Sequence, residues 1–133
     1  MASVSVFFDS LEDSDIDALL AKQKAREDSG AWIRCGQCGQ QITTADQRIE
    51  QGGAHAHRFE NPAGIAFHIG CFRRAPGCRR VGEATLAWTW FPGHPWSVAL
   101  CTTCGTHLGW SYGPAGNASA FHGLILDRLN ERP

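Results

Sequence analysis

The chain is short of helix signal, of net charge and of long apolar runs. Across its 133 residues no stretch approaches the length of a membrane span, and the opening MASVSVFFDS has neither a basic n-region nor a full apolar h-region. These absences set the expectation of a cytoplasmic protein with no membrane partner. A net charge of −1 argues against nonspecific nucleic-acid binding as the main role. No heptad or apolar stripe calls for self-association, and no βαβ pattern accompanies the cysteines. With 15 Gly and 6 Pro, turns and short strands are favoured over long helices. The length suits one compact domain whose modest core a structural metal would help to hold.

The small net charge hides an asymmetry. Residues 1–30 carry seven acids against three bases, whereas residues 31–133 carry six acids against nine arginines. Asp9 or Ser10 is placed to cap a short helix with Ile16, Leu19 and Leu20 as a narrow apolar stripe. Little else there offers a face to bury, so residues 1–30 are expected to form an acidic tail or a short, loosely docked helix, partly disordered. Arg73, Arg74, Arg79 and Arg80 form one basic group, which reads as a solvated face.

From Trp32 onward the pattern is of short strands between turns. Strands are expected at Ala31–Arg34, around His55–Phe59, at Ile65–Phe72, Thr85–Phe91, Trp96–Leu100 and Thr106–Tyr112, with Phe121–Leu129 as a strand or short helix. Asn61-Pro-Ala-Gly64, Pro76-Gly77 and Pro92-Gly93-His94-Pro95 mark turns, and Gly113–Asn117 a loop.

What the chain has in concentration is cysteine in pairs. Cys35-Gly-Gln-Cys38 and Cys101-Thr-Thr-Cys104 are two Cys-x-x-Cys knuckles separated by 62 residues. In a reducing compartment such pairs point to a metal before a disulfide. Thiolates at i and i+3 span one edge of a tetrahedron, so two pairs supply all four ligands of one structural Zn2+ per chain. Four cysteines leave no open coordination position, which moves chemistry away from the metal. His107, three residues after Cys104, has the spacing of a substitute ligand but is better explained as a histidine that supports the ligands from behind or simply packs. Cys71 and Cys78 fit neither knuckle and are expected as buried thiols; a nucleophilic role would need a base, and His68 is the only local one.

The second concentration is tryptophan. Four of the five, Trp88, Trp90, Trp96 and Trp110, fall within 23 positions beside the second knuckle. The strand expected at Thr85–Phe91 puts Trp88 and Trp90 on one face, with Trp96 across the turn and Trp110 beside Tyr112 on a later strand. Core packing explains some of this, and an aromatic cage explains it equally well. Between Arg80 and Asp127 the single formally charged side chain is Glu83, so a cage there lacks the carboxylate of an ammonium site and the bases of a nucleic-acid site. A compact neutral ligand remains.

Taken together, Cys35-x-x-Cys38, Asn61-Pro-Ala-Gly64, Phe67 through Phe72, Trp90-Phe91-Pro-Gly-x-x-Trp96, Cys101-x-x-Cys104 and His107-Leu-Gly-Trp110-x-Tyr112 resemble the thalidomide-binding (CULT) domain of the cereblon type and its stand-alone bacterial homologues. The resemblance covers residues 31–133. It implies a mainly β fold in which two antiparallel sheets meet at a steep angle (a β-tent), pinned by zinc. It implies a cage of Trp90, Trp96 and Trp110 around a cyclic imide, with Tyr112 at its base, Trp88 and Trp90 supplying backbone contacts, and Asn61 beside the opening. Trp88 departs from the pattern, since human cereblon carries histidine there. The expected function is therefore non-catalytic binding of glutarimide-type or uracil-like rings or of cyclised, modified protein C-termini. The alternatives are an enzyme like the B-type methionine sulfoxide reductases, using Cys71 or Cys78, and a zinc-ribbon module for protein interaction.

Overall fold

The computed structural model describes residues 31–114 and 116–131. The helix expected near Asp9 and the tail of residues 1–30 lie outside these residues. The strands are β1 (Trp32–Cys35), β2 (Gln41–Thr44), β3 (Ala56–Glu60), β4 (Ala66–Phe72), β5 (Cys78–Thr85), β6 (Trp96–Cys101), β7 (His107–Tyr112), β8 (Phe121–Ile125) and β9 (Leu129–Asn130). Short 3-10 turns occupy Ala45–Gln47 and Leu126–Arg128. The fold is mainly β, in two antiparallel sheets. The small one runs β2-β1-β9, the large one β3-β4-β8-β7-β6-β5.

The large sheet has an apolar cluster on each face. Phe72, Cys101, Leu108 and Leu124 join Ile33, Cys35 and Ile42 of the small sheet in one cluster. Ile69, Cys71, Tyr112, Phe121 and Ile125 belong to the other, where Phe91 and the edges of Trp90, Trp96 and Trp110 pack. The strand period of two accounts for this division along β8, where Phe121 and Ile125 face one way and Leu124 the other.

In β7 the alternation is broken on purpose. Ala99 pairs with Gly109 but Leu100 pairs with His107, so Leu108 is an extra residue, a β-bulge. The bulge lets Leu108 enter the inter-sheet cluster while Trp110 and Tyr112 face the aromatic side. His107 then lies on the aromatic side too, its ring edge-on to Trp110 at 4.9 Å. Gly109 is required by close approach, because a Cβ there would overlap the Gly123 carbonyl of β8.

One expectation is corrected. Thr85–Phe91 is not a strand: β5 ends at Thr85, and a loop follows. Thr89 N–H donates to Leu86 O at 3.2 Å, closing a tight turn whose third residue, Trp88, has φ 59°. Trp88 and Trp90 therefore share a loop and not a strand face. The strand actually lies earlier, at Cys78–Thr85, where sequence alternation is weak. The closing segment Phe121–Leu129 divides into β8, a 3-10 turn and the start of β9.

Candidate ligand cavity and metal centre

The two knuckles are built alike. Cys35 N–H donates to Gln40 O (2.8 Å) and Gly39 N–H to Cys35 O (2.9 Å); Cys101 N–H donates to Thr106 O (2.9 Å) and Gly105 N–H to Cys101 O (3.0 Å). Each loop closes through a glycine at positive φ, 78° at Gly39 and 76° at Gly105, a conformation that a Cβ would oppose. The four sulfurs lie within 4.8 Å of one another. Cys35 and Cys104 are 3.7 Å apart, Cys38 and Cys101 3.6 Å. A tetrahedron with metal–sulfur bonds of about 2.3 Å has edges of about 3.8 Å. The four cysteines therefore fit one metal ion.

The electrostatics of the cluster fit it as well. The Gln40 amide pulls the Cys38 thiol down, but desolvation and the neighbouring thiols outweigh it and push it up to about 12. The Thr106 hydroxyl and amide hold Cys104 down at about 6. Four thiolates cannot coexist there without a cation between them. His107 faces the aromatic side, where its Nε2 meets Gly109 O at 2.9 Å, and is not a fifth donor. Burial lowers its pKa.

The extra thiols carry no sign of a nucleophile. Cys71 is fully buried and burial pushes it up to about 11. Cys78, paired across from Cys101, is pushed up to about 12 by burial and then by the Cys101 and Cys35 sulfurs. His68 is exposed and three positions from Cys71 along β4, on the other face. Reactive cysteines need the opposite, a depressed pKa and access.

A cavity of about 260 Å³ is lined by Asn61, Pro62, Trp88, Trp90, Trp96, Trp110 and Tyr112. The structure thus gathers all six residues singled out in the sequence as ligand candidates around one space and adds Pro62. Trp90 and Trp110 meet at 4.7 Å and 75°. Behind them Phe59 stacks on Trp90 (5.1 Å) and Phe67 sets its edge to Trp110 (5.2 Å). Phe59 and Phe67 are direct cross-strand partners of β3 and β4, and sequence reading missed them as supports. Their signal was there, since Phe59 sits in the alternating run His55–Phe59.

The indoles are also fixed by hydrogen bonds. Trp90 Nε1–H donates to Glu60 O (3.1 Å) and Trp96 Nε1–H to Ala87 O (2.7 Å). Tyr112 is buried, stacked on Phe121 at 4.9 Å, and burial raises its pKa so that the phenol stays neutral. Asn61 Oδ1 accepts from Ala63 N–H (3.0 Å) and Ile65 N–H (2.9 Å), so its oxygen shapes the turn and its NH2 is the donor left for the cavity. Trp88 stands apart. It is 76% exposed and makes no hydrogen bond or ring contact with a described residue.

A cavity of rigid, uncharged ring faces beside a four-cysteine cluster is the setting in which similarity to known proteins becomes informative. No family model matches the chain. Protein cereblon of Danio rerio is 32% identical over 54 residues, 41% of this chain and 12% of that protein. Protein cereblon of Gallus gallus is 31% identical over 81 residues, 59% of this chain and 18% of that protein. Protein cereblon of Drosophila willistoni is 45% identical over 31 residues, 23% of this chain and 5% of that protein. The relationship is cereblon-like. The chain spans less than a fifth of the length of these relatives. Among the described residues no helix is long and apolar enough to cross a membrane.

Proposed function

We propose that the cereblon-like module is a non-catalytic receptor for small neutral cyclic imides, of the glutarimide type or a uracil-like ring, including such a ring formed at a protein C-terminus. The observation that carries this is the cavity: about 260 Å³, walled by indoles and a phenol, with no charged side chain in its lining. Its volume is below the about 300 Å³ at which drug-sized pockets begin, which suits a single ring. Trp90, Trp96 and Trp110 are the walls, Tyr112 the base, and Trp88 and Asn61 the rim.

An imide edge presents one N–H between two carbonyls. It needs one acceptor flanked by donors. Among the described residues the Trp88 carbonyl and the Trp90 amide N–H have no backbone partner, and Asn61 offers its NH2. That set is complementary to the imide edge. The wall rings are already locked by Phe59, Phe67, Glu60 O and Ala87 O, so little rotamer entropy is lost on binding. The metal in this reading is Zn2+, one per chain, and it holds the two sheets without touching ligand.

Titration of the intrinsic tryptophan fluorescence with glutarimide and thalidomide tests the reading. Saturable quenching in the micromolar range, about −8 kcal/mol, is expected, with loss of response in Trp90→Ala. Absence of saturation, or tighter binding of tetramethylammonium than of glutarimide, would sink the proposal.

A further inference from the structure

Arg73 and Arg74 are exposed, as a solvated face requires, and with the half-buried Arg80 they border one space. With Asn117 and His122 they line a second cavity, of about 580 Å³, that has no carboxylate in its lining. It lies on the opposite side of the large sheet from the aromatic cavity. Ser111 pairs with His122 and His122 with Phe72, and these residues alternate with Tyr112 and Phe121 of the aromatic side.

Two of the three cationic heads are positioned by the backbone. Arg73 Nη1 donates to Ala118 O (2.9 Å) and Ala120 O (3.2 Å), and Arg80 Nη1 donates to Gly113 O. A guanidinium has five N–H donors, so each anchor leaves donors over. His122 Nδ1 shares a proton with Ser111 Oγ at 2.8 Å, which leaves Nε2 as its second site. The ion pairs among the described residues are Arg48 with Glu131 and Arg58 with Glu60, and neither involves this group. Burial lowers the pKa of Arg80, and burial together with Arg80 holds His122 at about 4. Positive charge is thus kept at a half-buried Arg80 with no counter-charge among the described residues, a situation that an anion relieves.

We propose that this recess binds a small molecule bearing a phosphate or diphosphate group, gripped by Arg73, Arg74 and Arg80, with His122 as a hydrogen-bond partner. Planar guanidinium forks match phosphate oxygens bidentately, and three forks around one space suit a multiply charged anion better than a single carboxylate. The recess is concave and local, and the chain's net charge is −1, which sets it apart from a nucleic-acid track.

Calorimetric titration of the full chain with inorganic pyrophosphate at low salt tests this, alongside NMR of the histidine side chains. One-site binding with Kd below about 1 mM is expected, with a shift of the His122 resonance. Arg80→Gln and Arg74→Gln should each weaken it by about tenfold or more, while Arg79→Gln, a neighbour outside the lining, should change it by no more than about twofold. Arg74→Gln keeps the test intact if Arg80→Gln fails to fold, because the Arg74 side chain is exposed and anchors no described backbone group. The proposal is overturned by no saturable binding at about 10 mM, by equal losses in Arg74→Gln and Arg79→Gln, or by citrate binding as tightly as pyrophosphate.

Discussion

Trp96 Nε1–H donates to the carbonyl oxygen of Ala87 at 2.7 Å, tying a strand-borne wall of the cavity to the loop that carries Trp88. The bond converts a loop of ten residues between β5 and β6 into a positioned rim. Trp96→Phe keeps a ring in the wall but deletes the donor. The expected result is a loss of about 1 kcal/mol in stability, faster hydrogen exchange at the Thr89 amide, and weaker imide binding. Exchange at Thr89 no faster than in the parent would show that the bond does not hold the loop.

Trp88 separates stability from binding. Its φ of 59° is unfavourable for a bulky residue and natural for glycine, and its ring is exposed. Trp88→Gly should leave stability unchanged or raise it by up to about 1 kcal/mol, while imide affinity falls. Trp88→Val, β-branched at the same φ, should destabilise. Thermal melts and fluorescence titration on both variants decide the matter; a glycine variant that melts lower and binds normally would reverse the assignment.

Removing the metal should cost the fold. Structural zinc contributes about 10–16 kcal/mol in zinc-finger peptides, comparable to or above the whole stability of a small domain, about 5–15 kcal/mol. A strong chelator, or Cys38→Ser with Cys101→Ser, should abolish cooperative melting. Elemental analysis should give one zinc per chain. A chelated protein that melts as before would remove the metal from the stability argument.

His122 gives a signed pH dependence. Its folded pKa is depressed to about 4 by burial and then by Arg80, against about 6.5 unfolded. Below 6.5 the unfolded chain binds the proton more readily than the folded one, so stability falls as pH drops from about 6.5 to about 4, by up to about 3 kcal/mol from this group. Urea denaturation at pH 7 and pH 4.5 should show a steeper loss in the parent than in His122→Asn. Equal slopes would mean that His122 is not buried as a neutral ring facing Ser111 and Arg80.

Much of the site was legible because its residues follow simple periods. The cysteine knuckles declare themselves by spacing, β6 by alternation that ends at Cys101, and β4 and β7 by short apolar runs between turn residues. Asn61-Pro-Ala-Gly64 reads as a turn and is one. The misreadings have one cause each. Thr85–Phe91 alternates with strand-loving residues, but the Leu86–Thr89 turn overrides propensity. β5, Cys-Arg-Arg-Val-Gly-Glu-Ala-Thr, is a charged, mostly exposed edge strand without a clear apolar face and so gives no strand signal. β2 is four residues long and buried at adjacent positions Ile42 and Thr43, so it shows no period of two. The convergence of Arg73, Arg74, Arg80 and His122 depends on long-range pairing of β4, β5 and β8, which no local pattern encodes.

The bulge at Leu108 makes chain length, and not only residue identity, a specification. From Cys104 to Trp110 the backbone must leave the four-cysteine cluster, seat Leu108 between the sheets and still arrive with Trp110 on the opposite side. Losing or gaining one residue there would exchange the two sides for everything beyond it, sending an indole toward the thiolates and an aliphatic chain toward the ligand. Outside Cys104, Gly105 and Gly109, substitutions in this segment can be absorbed gradually, whereas a single-residue insertion or deletion is an all-or-none event. A library of lengths between Cys104 and Trp110 should therefore yield ligand-competent proteins at one length alone, an arithmetic constraint written into the ladder.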